Sequence, residues 1–322
     1  DVVCLNDLEP LEKEINKSTS LVRGVCAKFN LEGFKIGGFD AYTTSDVLKG
    51  SGLSSSAAYE VLVGTMINGF YNDNAATPTQ IAQFSQFAEN VYFGKASGLL
   101  DQLTCSVGSF ITVDFKNPAT PIIKKVDFDF AKSGYDLCIV DTKGSHSDLS
   151  DDYSQIPAEM KSVAKYFGKE VLREVCEDEF YNKIAMVRAA CGDRAVLRAI
   201  HFFEENCRVD KQAAALLAGD FEEFKNEIIK SGNSSYKYLQ NVYTNSHPNE
   251  QGLSIALCVA QRLLDGSGAY RVHGGGFAGT IQAFVPKEKT EEFSKQMNNI
   301  FGSKSCHVLS VRPCGGIEIV VK

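Results

Sequence analysis

Long apolar runs are missing from this chain of 322 residues. No stretch approaches the roughly 18 consecutive apolar residues that a membrane span needs, so no membrane partner is expected. The opening DVVCLNDLEPLEKEINKS lacks a basic segment followed by an apolar core, so no export signal is visible. Positive charge is short as well: 33 Lys and Arg against 40 Asp and Glu leave a net charge of −7. That is the wrong sign for neutralising a phosphate backbone at many points, and nucleic acid is excluded as an expected partner. Ten cysteines are present, but no CxxC pair or other close ligand spacing joins them. Neither a zinc site nor a disulfide framework is signalled, and free thiols suit a reducing cytoplasm. His146, His201, His247, His273 and His307 show no ligand spacing either. The first residue is Asp rather than Met, from which a missing N-terminal piece is expected.

What is present reads as an ordinary globular chain, with 44% apolar and 23% charged residues. Its length suits about two domains. STSLVRGVCAKFN sets Leu21, Val22, Val25, Cys26 and Phe29 at helical period, with Gly33 beyond the end. FKIGGFDAYTTSDVLKG reads as a strand and loop leading to Gly50. From Ser55 to about Phe70 a helix is predicted, with Tyr59, Leu62, Met66 and Phe70 three and four apart. Another starts at Thr77-Pro78 and runs to about Tyr92, proline being tolerated in a first helical turn. SFITVDF, PIIKKVDF and YDLCIVDTK read as strands, and residues 151 to 264 as almost wholly helical. The final sixty or so alternate: AYRVHG and GTIQAFVP as strands, KEKTEEFSKQMNNIF as a helix, HVLSV and GIEIVVK as strands. The polar GSHSDLSDD suggests a domain boundary, dividing 1–147 from 148–322.

GSGLSSS, opening a helix at Gly50, is a candidate phosphate loop. Helix N-termini expose unpaired N–H groups at the positive end of the macrodipole, and glycine lets backbone approach a ligand closely. No Gly-Lys-Ser/Thr follows the glycines, so a Walker A loop is excluded, and charge must be offset by amides, hydroxyls and a metal. A serine-capped helix after a glycine turn is the other reading. HGGGFAG fits GxGxxG as Gly274, Gly276 and Gly279 but precedes a strand, so a dinucleotide unit is not supported. A tight turn between strands and a close approach to a ligand both stay open there. Alone, Glu89 reads as a solvated helix carboxylate and Asp101 as a helix cap.

GSGLSSSAAYE, then AEN and SGLLDQLTCSVG, then GGGFAGTIQAFV stand in that order, and the chain resembles the GHMP kinase superfamily and, within it, the galactokinases. RAVLRAIHFFEEN and AALLAGDFEEF resemble that family's C-terminal helices, extending the likeness from about residue 18 to the end. The resemblance implies an α+β, two-domain GHMP kinase fold: an N-terminal domain like ribosomal protein S5 domain 2 and a ferredoxin-like C-terminal domain, with the active site between them. It implies ATP and Mg²⁺ as cofactors and galactose as the small-molecule substrate of a sugar 1-kinase, in a cytoplasmic chain expected to be a monomer. Gly50, Ser51, Gly52, Leu53, Ser54, Ser55 and Ser56 would wrap the ATP phosphates, and Ser56 with Glu89 would hold the metal. Asp101 would be the catalytic residue that accepts the proton of the anomeric hydroxyl. Gly98, Asp101, Tyr153, Gly275 and Gly276 would touch substrate.

Departures from the family pattern also matter. DDYSQIPAEM lacks the arginine pattern that follows the family's tyrosine, and His273 stands where relatives carry threonine. The family's N-terminal arginine and Glu-His-x-Asp motif, which grip the sugar, occur nowhere here. Weak or no activity is therefore expected of this chain alone. A kinase for another acceptor, such as N-acetylgalactosamine, mevalonate or homoserine, is one alternative. A catalytically silent galactose- and ATP-binding sensor is the other.

Overall fold

The computed structural model describes residues 2–47, 53–95, 97–117, 119–144 and 149–320. They form two compact units, one from the chain up to Val113 together with the residues from Arg312 onward, the other from Asp114 to Val311.

Helices dominate the first unit: α1 (Ser18–Leu31), α2 (Ser55–Asn72), α3 (Pro78–Phe87) and α4 (Leu100–Val107). The apolar row of α1 goes inward, and Phe29 meets Phe84 edge-on with ring centroids 4.9 Å apart. α2 buries a different face from the row Tyr59, Leu62, Met66 and Phe70. Ala57, Glu60, Val61, Gly64 and Ile67 are buried, while Leu62 and Phe70 are 40% and 59% exposed. Small residues explain the choice: a Cβ on Gly64 would stand 2.9 Å from the Ile81 side chain, so the face with Ala57 and Gly64 is the one α3 can approach. α3 starts as its Thr77-Pro78 signal predicts, with Thr77 and Gln80 forming a reciprocal capping box. It then widens into one turn of π-helix over Ala88–Phe93, closed by Gly94 at φ 85°.

Two expected strands do not form among the described residues, at 34–47 and at 317–320. In the first, the amide of Asn72 donates to the Lys35 carbonyl at 2.9 Å and accepts from the Lys35 N–H at 2.8 Å. A side chain thus takes the groups a neighbouring strand would use, while Phe34, Ile36 and Phe39 still pack on the core. The returning segment is tied in tightly. Ser109 N–H donates to the Arg312 carbonyl at 2.8 Å, and a Cβ on Gly315 would fall 1.9 Å from the Ser106 carbonyl oxygen.

After β1 (Phe110–Asp114), the second unit runs β2 (Ile122–Val126), β3 (Tyr135–Asp141), α5 (Ser150–Tyr166), α6 (Glu177–Asn182), α7 (Ile184–Cys191), α8 (Asp193–Leu217), α9 (Phe221–Ser234), α10 (Gly252–Leu264), β4 (Ala269–Val272), β5 (Thr280–Pro286), α11 (Thr290–Phe301) and β6 (Cys306–Leu309). Its antiparallel sheet has the order β4-β5-β3-β6, with Cys138 opposite Ala283 on one side and Val308 on the other. Numbered by appearance, these strands lie second, third, first, fourth, which is the ferredoxin-like order. Leu253, Ala256, Ala260, Leu264, Phe293 and Met297 cover the sheet's apolar side. The boundary expected after residue 147 lies outside the described residues. The units divide instead at Val113, because β3 is an inner strand of the second unit's sheet. Polar composition marks a connection, but it does not say with which later strands the preceding one pairs. No helix among the described residues is long and apolar enough to cross a membrane.

Candidate active site

The mouth of α2 shows where two of its serines direct their hydroxyls. Ser54 precedes the helix with φ 55°, in the left-handed region, and its side chain makes no cap hydrogen bond. Its hydroxyl donates instead to Asp101 Oδ2 at 2.6 Å. Two residues on, the Ser56 hydroxyl donates to Glu89 Oε1 at 2.7 Å. The hydroxyls of Ser54 and Ser56 are thus turned onto carboxylates, and Ser54 at the cap position makes no side-chain cap hydrogen bond. That leaves the positive end of the helix open to an anion.

Glu89 is no solvated carboxylate. It is 2% exposed, in the π-helical turn that follows α3. Lys95 Nζ lies 3.0 Å from its Oε1, and Gln102 Nε2 donates to its Oε2 at 2.8 Å. Burial pushes its acid up, but the hydrogen bonds from Ser56 and Lys95 and the ammonium charge outweigh it, and the net direction is downward. Glu89 is therefore ionised at neutral pH. Asp101, exposed in the first turn of α4, does not cap that helix; Leu99 stands at the cap position. Gly98 is exposed three residues earlier, and a Cβ there would meet nothing within 4 Å. Leu53 and Ser55 flank Ser54 and are half-buried. Gly50, Ser51 and Gly52 lie outside the described residues, as does His146.

Residues that sequence reasoning passed over complete the cluster. Gln102 is fully buried, and its amide nitrogen also reaches Glu60 Oε2 at 3.3 Å. Glu60 is 0% exposed; burial first, and the charge of Glu89 second, push its acid up to about 8. Oε1 of Glu60 and Oε1 of Gln102 have no hydrogen-bond partner among the described residues. A readable signal for Glu60 existed: it shares helical spacing with Ala57, Val61 and Gly64, the small-residue face of α2. Gln102 lies within SGLLDQLTCSVG, which was read for Gly98 and Asp101, and Lys95 stands two residues before it.

The expected substrate residues Tyr153, Gly275 and Gly276 belong to the second unit. Tyr153 donates its phenol to the Gly276 carbonyl at 2.8 Å and sets its ring edge-on to Phe277. A Cβ on Gly275 would stand 2.8 Å from that ring, and one on Gly276, at φ 80°, would stand 1.9 Å from the Asn241 carbonyl oxygen. Packing inside the unit therefore accounts for all three. Gly274, at φ 67°, is the member of the run whose missing Cβ faces open space.

Similarity to known proteins identifies the family. The family GHMP kinases N terminal domain matches residues 19–109, which include both serine–carboxylate pairs. A galactokinase of Actinobacillus pleuropneumoniae is 31% identical over 302 residues, covering 89% of this chain and 72% of the relative. The chain belongs to the galactokinase family. A second galactokinase, from Streptomyces coelicolor, is 28% identical over 98% of this chain and 81% of its own length. The crystal structure of Lactococcus lactis galactokinase complexed with galactose superposes with a TM-score of 0.74 at 22% identity, covering 97% of this chain and 78% of that one, a likeness of fold. Members of the galactokinase family are sugar kinases.

A divalent metal is implied by that membership, and the donors fit one. Mg²⁺ takes one or two protein oxygens and completes its shell with phosphates and water. One ionised carboxylate and one hydroxyl, 2.7 Å apart at a helix N-terminus, are such a pair. No cluster of three acidic, His or Cys side chains is required, and none occurs among the described residues.

Proposed function

We propose that this chain transfers the γ-phosphoryl group of ATP to the anomeric hydroxyl of galactose, giving galactose 1-phosphate and ADP. The observation that carries the reading is the pair of serine–carboxylate bonds at the mouth of α2, Ser54 to Asp101 and Ser56 to Glu89. Galactose as acceptor is supported by the galactokinases among its relatives.

In this reading the amides at the start of α2 and the hydroxyl of Ser55 receive the polyphosphate. Ser56 and Glu89 hold Mg²⁺, which when bound offsets negative charge on the phosphates. Asp101 accepts the proton of the anomeric hydroxyl as its oxygen bonds to the γ-phosphorus and the bond to the β,γ-bridging oxygen breaks. The Ser54 hydroxyl orients that carboxylate. The contribution expected of Asp101 is mainly orientation and polarisation of the hydroxyl. Gly98 leaves room beside it for the sugar. With no Glu-His-x-Asp motif in the sequence, slow turnover by this chain alone is part of the proposal.

The test is an ADP-release assay with galactose, N-acetylgalactosamine, mevalonate, homoserine or no acceptor, with product identified by phosphorus NMR. Galactose-dependent ADP release and a sugar 1-phosphate are expected. Release with another acceptor and none with galactose overturns the substrate. Tight Mg-ATP and galactose binding without any product favours the silent sensor.

A further inference from the structure

The loop at the mouth of α2 has no lysine of the Walker A kind, yet a lysine from elsewhere reaches the same place. Lys95 Nζ lies 3.0 Å from Glu89 Oε1, the oxygen that also accepts from Ser56. Its main chain is anchored to the same residue: Lys95 N–H donates to the Glu89 carbonyl at 3.1 Å and closes the π-helical turn after Gly94. The stem thus starts from a fixed point beside Glu89, while the side chain itself is 61% exposed and free to swing. A lysine is a compact charge on four flexible carbons with three rotatable donors. Only the ammonium end is exposed; Glu89 is buried, so the lysine can leave at little cost only when another cation takes its place on that carboxylate. Glu89 Oε1 already accepts from both Ser56 and Lys95, which fills its two lone pairs, so a divalent ion binding there must displace one of these donors.

We infer that Lys95 is the movable cation of the nucleotide site, resting on Glu89 when no metal is bound and passing to the nucleotide's phosphates when a divalent ion takes that oxygen. The inference rests on reading the mouth of α2 as the phosphate site. It assigns to this chain's own side chain the positive charge that the glycine–serine loop lacks. It also couples the two ligands: metal on Glu89 frees the ammonium, and the freed ammonium tightens the hold on the phosphates.

Calorimetric titration with a non-hydrolysable ATP analogue tests it on the wild type, Lys95→Met, Lys95→Gln and Lys95→Arg, each in excess Mg²⁺ and in EDTA. In Mg²⁺, removing the charge is expected to weaken binding about tenfold, the usual worth of one hydrogen bond to a charged group, with Lys95→Arg close to wild type. In EDTA the four proteins bind alike, because the wild-type ammonium is still held by Glu89. Equal affinities under both conditions overturn the inference, and so does an equal loss under both, which would mean the lysine serves the phosphates whatever Glu89 holds. If Lys95→Met does not fold, Lys95→Gln carries the comparison. A wild type that binds the analogue under neither condition overturns the proposed function together with this inference, whereas wild-type binding that the substitutions do not alter overturns the role of Lys95 alone.

Discussion

Replacing Glu60 by glutamine should raise stability, by an amount that grows as pH climbs from about 4.5 to about 8. Glu60 has no exposure, Glu89 is its charged neighbour, and the amide nitrogen of Gln102 is shared between the two carboxylates. Oε1 of Glu60 and Oε1 of Gln102 both lack a donor, and a proton on Glu60 supplies one. The folded state therefore holds this acid to about 8, against an ordinary 4.5. Since the folded value is raised, the wild type has its full stability below about 4.5 and loses it progressively as pH climbs to about 8, where Glu60 ionises in the folded state too. At about 1.4 kcal/mol per pH unit the loss reaches roughly 5 kcal/mol, an upper bound because water entry and side-chain motion relax a buried charge. The substituted amide has the same shape as the carboxyl, supplies the missing donor and does not titrate. Urea unfolding of both proteins at pH 5, 7 and 9 measures the difference. The two should be nearly equal at pH 5, with Glu60→Gln ahead by several kcal/mol at pH 9. A gap that does not change with pH would show that Glu60 is charged in the fold throughout, and the reasoning about the buried triad would be wrong.

Three more outcomes are expected. Asp101→Asn keeps an acceptor for Ser54 but loses the base, so kcat with galactose should fall about 10²- to 10⁴-fold while nucleotide affinity holds within about threefold; equal losses in both would assign Asp101 to binding. Glu89→Gln removes the charged metal donor, and the Mg²⁺ concentration needed for half-maximal nucleotide binding should rise at least about tenfold; an unchanged requirement would place the metal elsewhere. Gly276→Ala puts a Cβ where the Asn241 carbonyl oxygen already stands, at φ 80°, so denaturant unfolding should lose about 3 kcal/mol or more, and a loss under about 1 kcal/mol would mean the turn yields easily.

Local signals were the readable ones. The spacing in α1 and the Thr77-Pro78 start of α3 act within a few residues, and the structure follows them. Ser56, Glu89 and Asp101 were legible as ordered motifs, and each has a partner that its isolated residue type does not suggest. What sequence did not convey depends on distant chain segments. β3 was assigned by proximity to the first domain, yet its hydrogen bonds go to β5 and β6, more than a hundred residues onward. FKIGGFDAY has the composition of a strand, but Asn72 of α2 took the backbone N–H and carbonyl of Lys35. On α2 the larger apolar row lost to the small-residue face because close approach to α3 needs Gly64, and that choice carried Glu60 into the interior.

The segment from Arg312 onward has a consequence for how the protein is made. Gly315 and Gly316 seat against Ser106 and Thr65, one at the end of α4 and the other on α2, the helix whose mouth carries the serines. A ribosome delivers Thr65 and Ser106 early and Gly316 about two hundred residues later, at some 5 to 20 residues per second. The first unit must therefore wait, unfinished, for ten seconds or more, until the other unit has been synthesised. Nascent chains stalled short of Arg312 should be cut by protease within α2 to α4, and chains stalled after Gly316 has cleared the exit tunnel should not.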